Sequence, residues 1–204
     1  MAEPFAVVLD RDGVICENLP GHVRSWRDFA FIPGAVEAMA SLQGAGAELY
    51  IATNQSVVGR GFIGVNDLER IHDKMEETLA GAGVKIRGIA ACIHHPIDEC
   101  TCRKPATGLY VTLADRYGFK LEESFVVGDW ITDIEAGAAI GAATVLVRTG
   151  RGRQAEGLVA SGDAPVPDKI ADDLIDAAFW ILAERGIAVT SGRLDARTRR
   201  TRNR

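Results

Sequence analysis

The chain has 204 residues, 47% hydrophobic and 25% charged, which suits one α/β domain with a full core and leaves no polar low-complexity tract before position 186. Its formal charge is −5, but residues 187–204 hold six arginines against Asp195 alone, so that segment is +5 and leaves −10 on the rest. A body that acidic is a poor general surface for nucleic acid, and an anionic small molecule must be drawn in by local positive charge or a bound cation. No stretch approaches the ~18 apolar residues of a membrane span, and residues 1–9 lack a basic region followed by a long apolar run, so no membrane partner is expected. Three of the four cysteines crowd into positions 92–102 beside two histidines while Cys16 stands alone, which favours metal ligation over disulfides and a reducing, cytoplasmic setting.

In chain order, the short apolar run at 5–9 breaks at Asp10 and predicts a buried parallel strand; similar runs follow at 49–52, 89–93, 125–127 and 145–147. Between them, Asn66 and Glu69 have the spacing of a capping box, and Leu68, Ile71, Met75 and Leu79 fall on one helical stripe. Helices are also predicted over 109–116, 133–140 and 172–184, each with a glycine (Gly118, Gly141, Gly186) just behind it. Strand and helix alternating at these intervals predict a doubly wound, Rossmann-like parallel sheet with helices on both faces, in which chemistry gathers at the carboxyl ends of the strands. One domain over residues 1–186 is expected, with residues 187–204 as a flexible, solvated, arginine-rich tail.

The polar residues behind each strand fit that expectation. Asp10-Arg11-Asp12-Gly13 puts two carboxylates two residues apart where Gly13 lets the chain turn, so one can attack while the other handles protons; alone, the pattern also describes a polar turn. Thr53-Asn54-Gln55-Ser56, followed by Gly59-Arg60-Gly61, brings hydroxyl, amide and guanidinium donors suited to phosphate oxygens, or equally caps a strand-to-helix turn. Arg103-Lys104-Pro105 supplies adjacent cations, with Pro105 biasing Lys104 towards an extended backbone. Gly128-Asp129 and Asp133 place two carboxylates at a strand end and a helix start, where Mg²⁺ could be held with Asp10; Asp133 also reads as a first-turn acid.

Leu9-Asp10-Arg11-Asp12-Gly13, Thr53-Asn54-Gln55, Lys104 and Gly128-Asp129 together resemble the four motifs of the haloacid dehalogenase superfamily, over residues 5 to about 150. The resemblance implies that Asp10 is a nucleophile forming an aspartyl-phosphate and that Asp12 protonates the leaving oxygen and then activates water. It further implies that Thr53 and Lys104 hold phosphoryl oxygens, and that Mg²⁺ sits on Asp10, the Asp12 carbonyl and Asp129, with Asp133 behind them.

Cys92, His94, Cys100 and Cys102 offer four ligands within eleven residues, meeting the Cys₃His requirement of a closed structural zinc site; His95 is the weaker candidate. The loop ends at Arg103-Lys104, so zinc would shape the substrate site without taking part in chemistry. The spacings from Asp10 to Thr53 and from Thr53 to Lys104 are taken up by core elements, which predicts a capless enzyme. A capless fold with this zinc loop and Cys102-Arg103-Lys104-Pro105 resembles the D-glycero-D-manno-heptose 1,7-bisphosphate 7-phosphatases and the related histidinol-phosphate phosphatases. The segments around Gly59-Arg60-Gly61 and 145–150 look more like the heptose branch. This resemblance implies a monomeric Mg²⁺-dependent phosphatase acting on a small phosphorylated metabolite, a heptose 7-phosphate ahead of histidinol phosphate or another small ester. Asn54, Gln55, Arg60, Arg103 and His22 are its expected substrate contacts. Two residues depart from that family's habit: Trp130 stands where a lysine is frequent, and Val57 where a glycine is.

Overall fold

The computed structural model describes residues 3–187; of the arginine-rich tail, all but its first residue lie outside that range. Six strands form one wholly parallel sheet: β1 (Phe5–Leu9), β2 (Ala47–Asn54), β3 (Ile86–Cys92), β4 (Phe125–Gly128), β5 (Ala143–Val147) and β6 (Lys169–Ala171), ordered β3-β2-β1-β4-β5-β6. The chain builds outward from β1 to β3, then returns to lay β4 on the other side of β1. The switch point of the doubly wound sheet therefore falls between β1 and β4, where a crevice opens at the strands' carboxyl ends.

Helices cover both faces because β1 is apolar on both. Val7 and Leu9 point into a core shared with α1 (Ala35–Gly44), α3 (Val65–Gly81) and α7 (Leu174–Glu184), through residues such as Met39, Met75 and Ile181. Ala6 and Val8 point the other way, towards Leu109, Tyr110 and Leu113 of α4 (Gly108–Tyr117) and Ala136 of α5 (Ile131–Ala139). A smaller cluster joins α5 to α6 (Gly152–Ser161) through Ile134, Leu146 and Ala155. The four-residue α2 (Ser56–Gly59) sits directly behind β2. Among the described residues no second domain is inserted over the strand ends, and no helix is long and apolar enough to cross a membrane.

All five predicted strands and all four predicted helices are present, with β2 and β3 longer than their apolar runs. The helix over Leu68 to Leu79 begins earlier than the Asn66/Glu69 spacing implies. Gly64 is its N-cap, and the Asp67 carboxylate accepts the Gly64 N–H at 2.9 Å, so the cap lies two residues upstream.

Candidate active site

Asp10 follows β1, and its N–H continues the ladder to β4 by donating to the Val127 carbonyl at 2.9 Å. Its Oδ1 accepts the Arg11 N–H at 2.7 Å and pairs with Lys104 Nζ at 3.1 Å. Lys104, 3% exposed, also reaches Asp133 Oδ1 at 2.5 Å and donates to the Ala52 carbonyl at 2.7 Å. Asp133 caps α5 as well, its Oδ2 accepting the Trp130 N–H at 3.1 Å, which is what a first-turn acid does. Asp129 Oδ2 accepts from Asn18 Nδ2 at 3.2 Å and from the Arg151 N–H at 2.8 Å.

Bare backbone is required around this cluster. Gly13, at φ +86°, and Gly150, at φ +56°, press against the Asp129 carboxylate, and a Cβ at either would fall 2.0 or 2.1 Å from Asp129 Oδ2. Thr149 Oγ1 ties the two loops together by donating to the Gly13 carbonyl at 2.6 Å. The sheet thus brings residues from four separate stretches of chain onto one point.

Behind Asp12 lies a second buried cation. Arg11 is fully buried; its Nη2 donates to both Asp12 oxygens, at 3.0 and 2.9 Å, and to Gln55 Oε1 at 2.9 Å. Its Nη1 lies 3.2 Å from Nε2 of His72, a buried residue of α3 whose pKa is lowered to about 4, first by burial and then by the Arg11 charge. A neutral imidazole accepts from the guanidinium at that nitrogen. Gln55 Nε2 donates to Asp12 Oδ2 at 2.6 Å and to Thr53 Oγ1 at 2.9 Å.

The charges of the inner cluster around Asp10 and Asp12 do not balance. Four carboxylates (Asp10, Asp12, Asp129, Asp133) face Lys104 and Arg11, a formal surplus of two negative charges. Burial pushes Asp10 up to about 6, with Lys104 pulling it down and Asp133 and Asp12 pushing it up again. Asp129 is pushed up to about 7, by burial first and then by Asp10 and Asp133. Burial works against the Lys104 charge, but Asp10 and Asp133 outweigh it and keep the ammonium protonated well beyond its ordinary range. One divalent cation would cancel the surplus. Ligand oxygens of Asp10, Asp129 and Asp133 lie within 4.8 Å of one another, a hard-oxygen set suited to Mg²⁺. Both Asp133 oxygens are already engaged, whereas Asp10 and Asp129 each have the bonds above on one oxygen only, so the residues fit an ion held by Asp10 and Asp129 with Asp133 behind.

A cavity of about 550 Å³ opens over this cluster. Asp10, Asp12, Thr53, Lys104, Asp129 and Asp133 line it, together with the expected contacts His22, Asn54, Gln55 and Arg103. Arg60 does not: it lies outside the cavity lining, its Nε 3.4 Å from Ser56 Oγ one turn back in α2. Asn54 and Gln55 line the wall and also brace the protein. Asn54 Nδ2 donates to the Lys104 carbonyl and its Oδ1 accepts the Lys104 N–H, both at 3.1 Å, so the amides of Asn54 and Gln55 hold Lys104 and Asp12 in place, and one Asn54 N–H is left over. Residues to which the motifs gave no role also belong here: Arg151 and Trp130 on the wall, and Arg11 and His72 beneath it.

One wall comes from the loop between β3 and α4. Cys92 Sγ lies 3.6 Å from both His94 Nδ1 and Cys100 Sγ, Cys102 Sγ 3.4 Å from Cys100 Sγ, and His94 Nδ1 3.2 Å from Cys102 Sγ. A tetrahedron with metal–sulfur bonds of ~2.3 Å has edges of roughly 3.7 Å, so four free thiol and imidazole ligands already sit near the corners of a zinc site. His95 is turned elsewhere: its Nδ1 accepts the Ile97 N–H at 3.3 Å inside the loop's own turn. Gly59 of α2 packs against this loop with no room for a side chain, since a Cβ would meet His95 N at 2.3 Å.

Comparison with known proteins agrees with this geometry. A HAD-hydrolase-like family model matches residues 101–177. The chain is 38% identical over 178 residues to the D-glycero-beta-D-manno-heptose-1,7-bisphosphate 7-phosphatase of Bordetella bronchiseptica, covering 87% of this chain and 98% of that one. It is 36% identical to the enzyme of the same name from Pseudomonas aeruginosa, with 86% and 97% covered. Among solved structures, the B. bronchiseptica D,D-heptose 1,7-bisphosphate phosphatase complexed with magnesium and phosphate superposes with a TM-score of 0.82 at 38% identity, over 88% of this chain and 99% of that one. At 38% identity over 98% of the B. bronchiseptica enzyme's length, the chain belongs to the heptose bisphosphate phosphatase family of haloacid dehalogenase-like hydrolases, and it is a phosphatase.

Proposed function

We propose that this phosphatase removes the 7-phosphate of D-glycero-D-manno-heptose 1,7-bisphosphate through an aspartyl-phosphate on Asp10. One observation carries the reading: Asp10, Lys104 and Asp129 face a single cavity, with Lys104 Nζ 3.1 Å from the Asp10 carboxylate. In the first step an Asp10 oxygen attacks phosphorus and the P–O bond to the sugar breaks. Asp12 serves as the general acid that passes a proton to the departing oxygen; in the second step Asp12 takes a proton from water, which attacks phosphorus and frees Asp10. Dividing the hydrolysis this way replaces one difficult displacement by two easier ones. Lys104 and Thr53 hold the phosphoryl oxygens and offset the charge that builds in each transition state.

The Asp10 and Asp129 carboxylates and the Asp12 carbonyl would hold Mg²⁺, and Asp133 would steady the set while keeping Lys104 in place. When bound, that ion supplies positive charge at the phosphoryl group. Cys92, His94, Cys100 and Cys102 would hold a structural Zn²⁺ that keeps Arg103 and Lys104 at the cavity wall. The four cysteines, all free thiols, suit a reducing cytoplasm, and the protein is proposed to act as a monomer.

Steady-state kinetics on a panel of phosphate esters tests the substrate. The heptose bisphosphate should exceed histidinol phosphate and para-nitrophenyl phosphate in kcat/KM by about two orders of magnitude or more. A preference of that size for histidinol phosphate would overturn the assignment.

A further inference from the structure

Arg151 lies in the turn between β5 and α6, immediately after Gly150 at φ +56°. Its backbone N–H donates to Asp129 Oδ2 at 2.8 Å, which fixes the start of its side chain beside the reacting centre. The side chain runs along the cavity wall and stacks on Trp130, its guanidinium carbon 3.3 Å from the ring centroid. Trp130 is itself anchored, its N–H held by Asp133. The cation–π contact with an indole face consumes none of the guanidinium's N–H donors in conventional hydrogen bonds, which leaves them for a ligand, while the contact restricts its motion.

Unlike the other cations of the floor, this one is uncommitted. Lys104 is shared by Asp10 and Asp133 and Arg11 by Asp12, whereas Arg151 has no carboxylate within 4.0 Å and no side-chain hydrogen bond among the described residues. Chain charge outside the tail is −10, so a substrate bearing a second phosphate needs such a cation at the rim to offset repulsion from the protein.

We infer that Arg151, held on the face of Trp130, is a specificity-determining residue that binds the phosphate the enzyme does not hydrolyse. This rests on the bisphosphate reading above. Arg103, on the side of the cavity formed by the 92–102 loop, is the other arginine on its wall among the described residues, where its buried Nη1 has no partner, so a ligand phosphate can be gripped from two sides.

The test compares kcat/KM for heptose 1,7-bisphosphate with that for heptose 7-phosphate, which lacks the remote group, in the parent, Arg151→Gln, Arg151→Lys and Trp130→Leu. In Arg151→Gln the ratio of the two should fall by about tenfold or more, through KM for the bisphosphate, because a charge-assisted contact to phosphate is lost. Arg151→Lys should restore part of the ratio, and Trp130→Leu should lower it by a smaller factor. An Arg151→Gln ratio equal to the parent's, or equal losses on both substrates, would overturn the assignment. A parent that shows no preference for the bisphosphate would overturn the substrate reading and this inference with it; a parent preference that survives in Arg151→Gln sinks this inference alone.

Discussion

Two regions converge on Lys104, and they are built in opposite ways. At the switch point of the sheet, Asp10 and Asp129 are carried by the ends of β1 and β4, and the glycines at 13 and 150 close over them. In the loop over residues 92–102 the only regular structure is a single 3₁₀ turn, Pro96–Asp98, and the thiols and His94 make their contacts with one another. The first region owes its geometry to the hydrophobic core beneath it, and a cation there answers a charge surplus the fold has already created. The second buries little besides its three cysteines, which pack against the core, and on the zinc reading the ligand bonds would supply the rest of its order. A lysine that hangs between the two inherits its position from both.

The largest expected effect lies in the first region. Asp10→Asn should lower kcat by at least about a thousandfold, since an amide cannot form the covalent intermediate, while the circular dichroism spectrum and Tm stay close to the parent's. Lys104 retains Asp133 and the Ala52 carbonyl in that variant, which is why the fold should survive. Equal phosphate-ester hydrolysis by variant and parent would break the comparison at its catalytic end.

Next in size is the metal of the second region. Protein purified without chelators should carry about one equivalent of zinc, and Cys100→Ala should lose it. Tm should drop by more than about 5 °C, roughly 2 kcal/mol for a chain of this length, and kcat should fall with it because Arg103 and Lys104 leave the loop directly. Zinc-free protein with full stability and activity would mean that the loop is ordered by packing, and the contrast between the regions would vanish.

How far each region could be read in the sequence follows the same division. The strands announce themselves because β1 and β4 are buried on both faces, and the catalytic candidates were found by looking just past them. The candidate zinc ligands stand within eleven residues, and their proximity needs no knowledge of the fold. What escaped is chemistry made by distant partners. Arg11 and His72 are 61 residues apart and Asn54 and Lys104 are 50, and nothing local marks them as pairs. Asn54 and Gln55 were legible as donors near a phosphate site, but their targets were not, and Arg60 belongs to α2 rather than to the cavity. Of the unread elements, β6 has three residues and the buried face of α6 is confined to Gly152 and Ala155, whereas α1 was missed although Ala35, Ala38, Met39 and Leu42 give it a helical stripe. The 187–204 tail stays an expectation.

The smallest effect sharpens the comparison most. Asn54 clamps the Lys104 backbone to the end of β2 with two hydrogen bonds, so it is the sheet's hold on a residue that the loop also holds. Asn54→Ala alone should cost about 1–3 kcal/mol, because the Lys104 N–H and carbonyl lose their partners in a partly buried setting. If the zinc loop and the sheet position Lys104 jointly, the loss of one hold should make the other matter more, and the double variant Asn54→Ala/Cys100→Ala should deviate from additivity. An interaction energy of about 0.5 kcal/mol or more in Tm-derived stability, matched by a non-additive fall in kcat, is the expected outcome. Strict additivity in both quantities would mean that each hold acts on Lys104 without the other, and the lysine would then belong to the sheet alone, with the metal loop serving only as a wall.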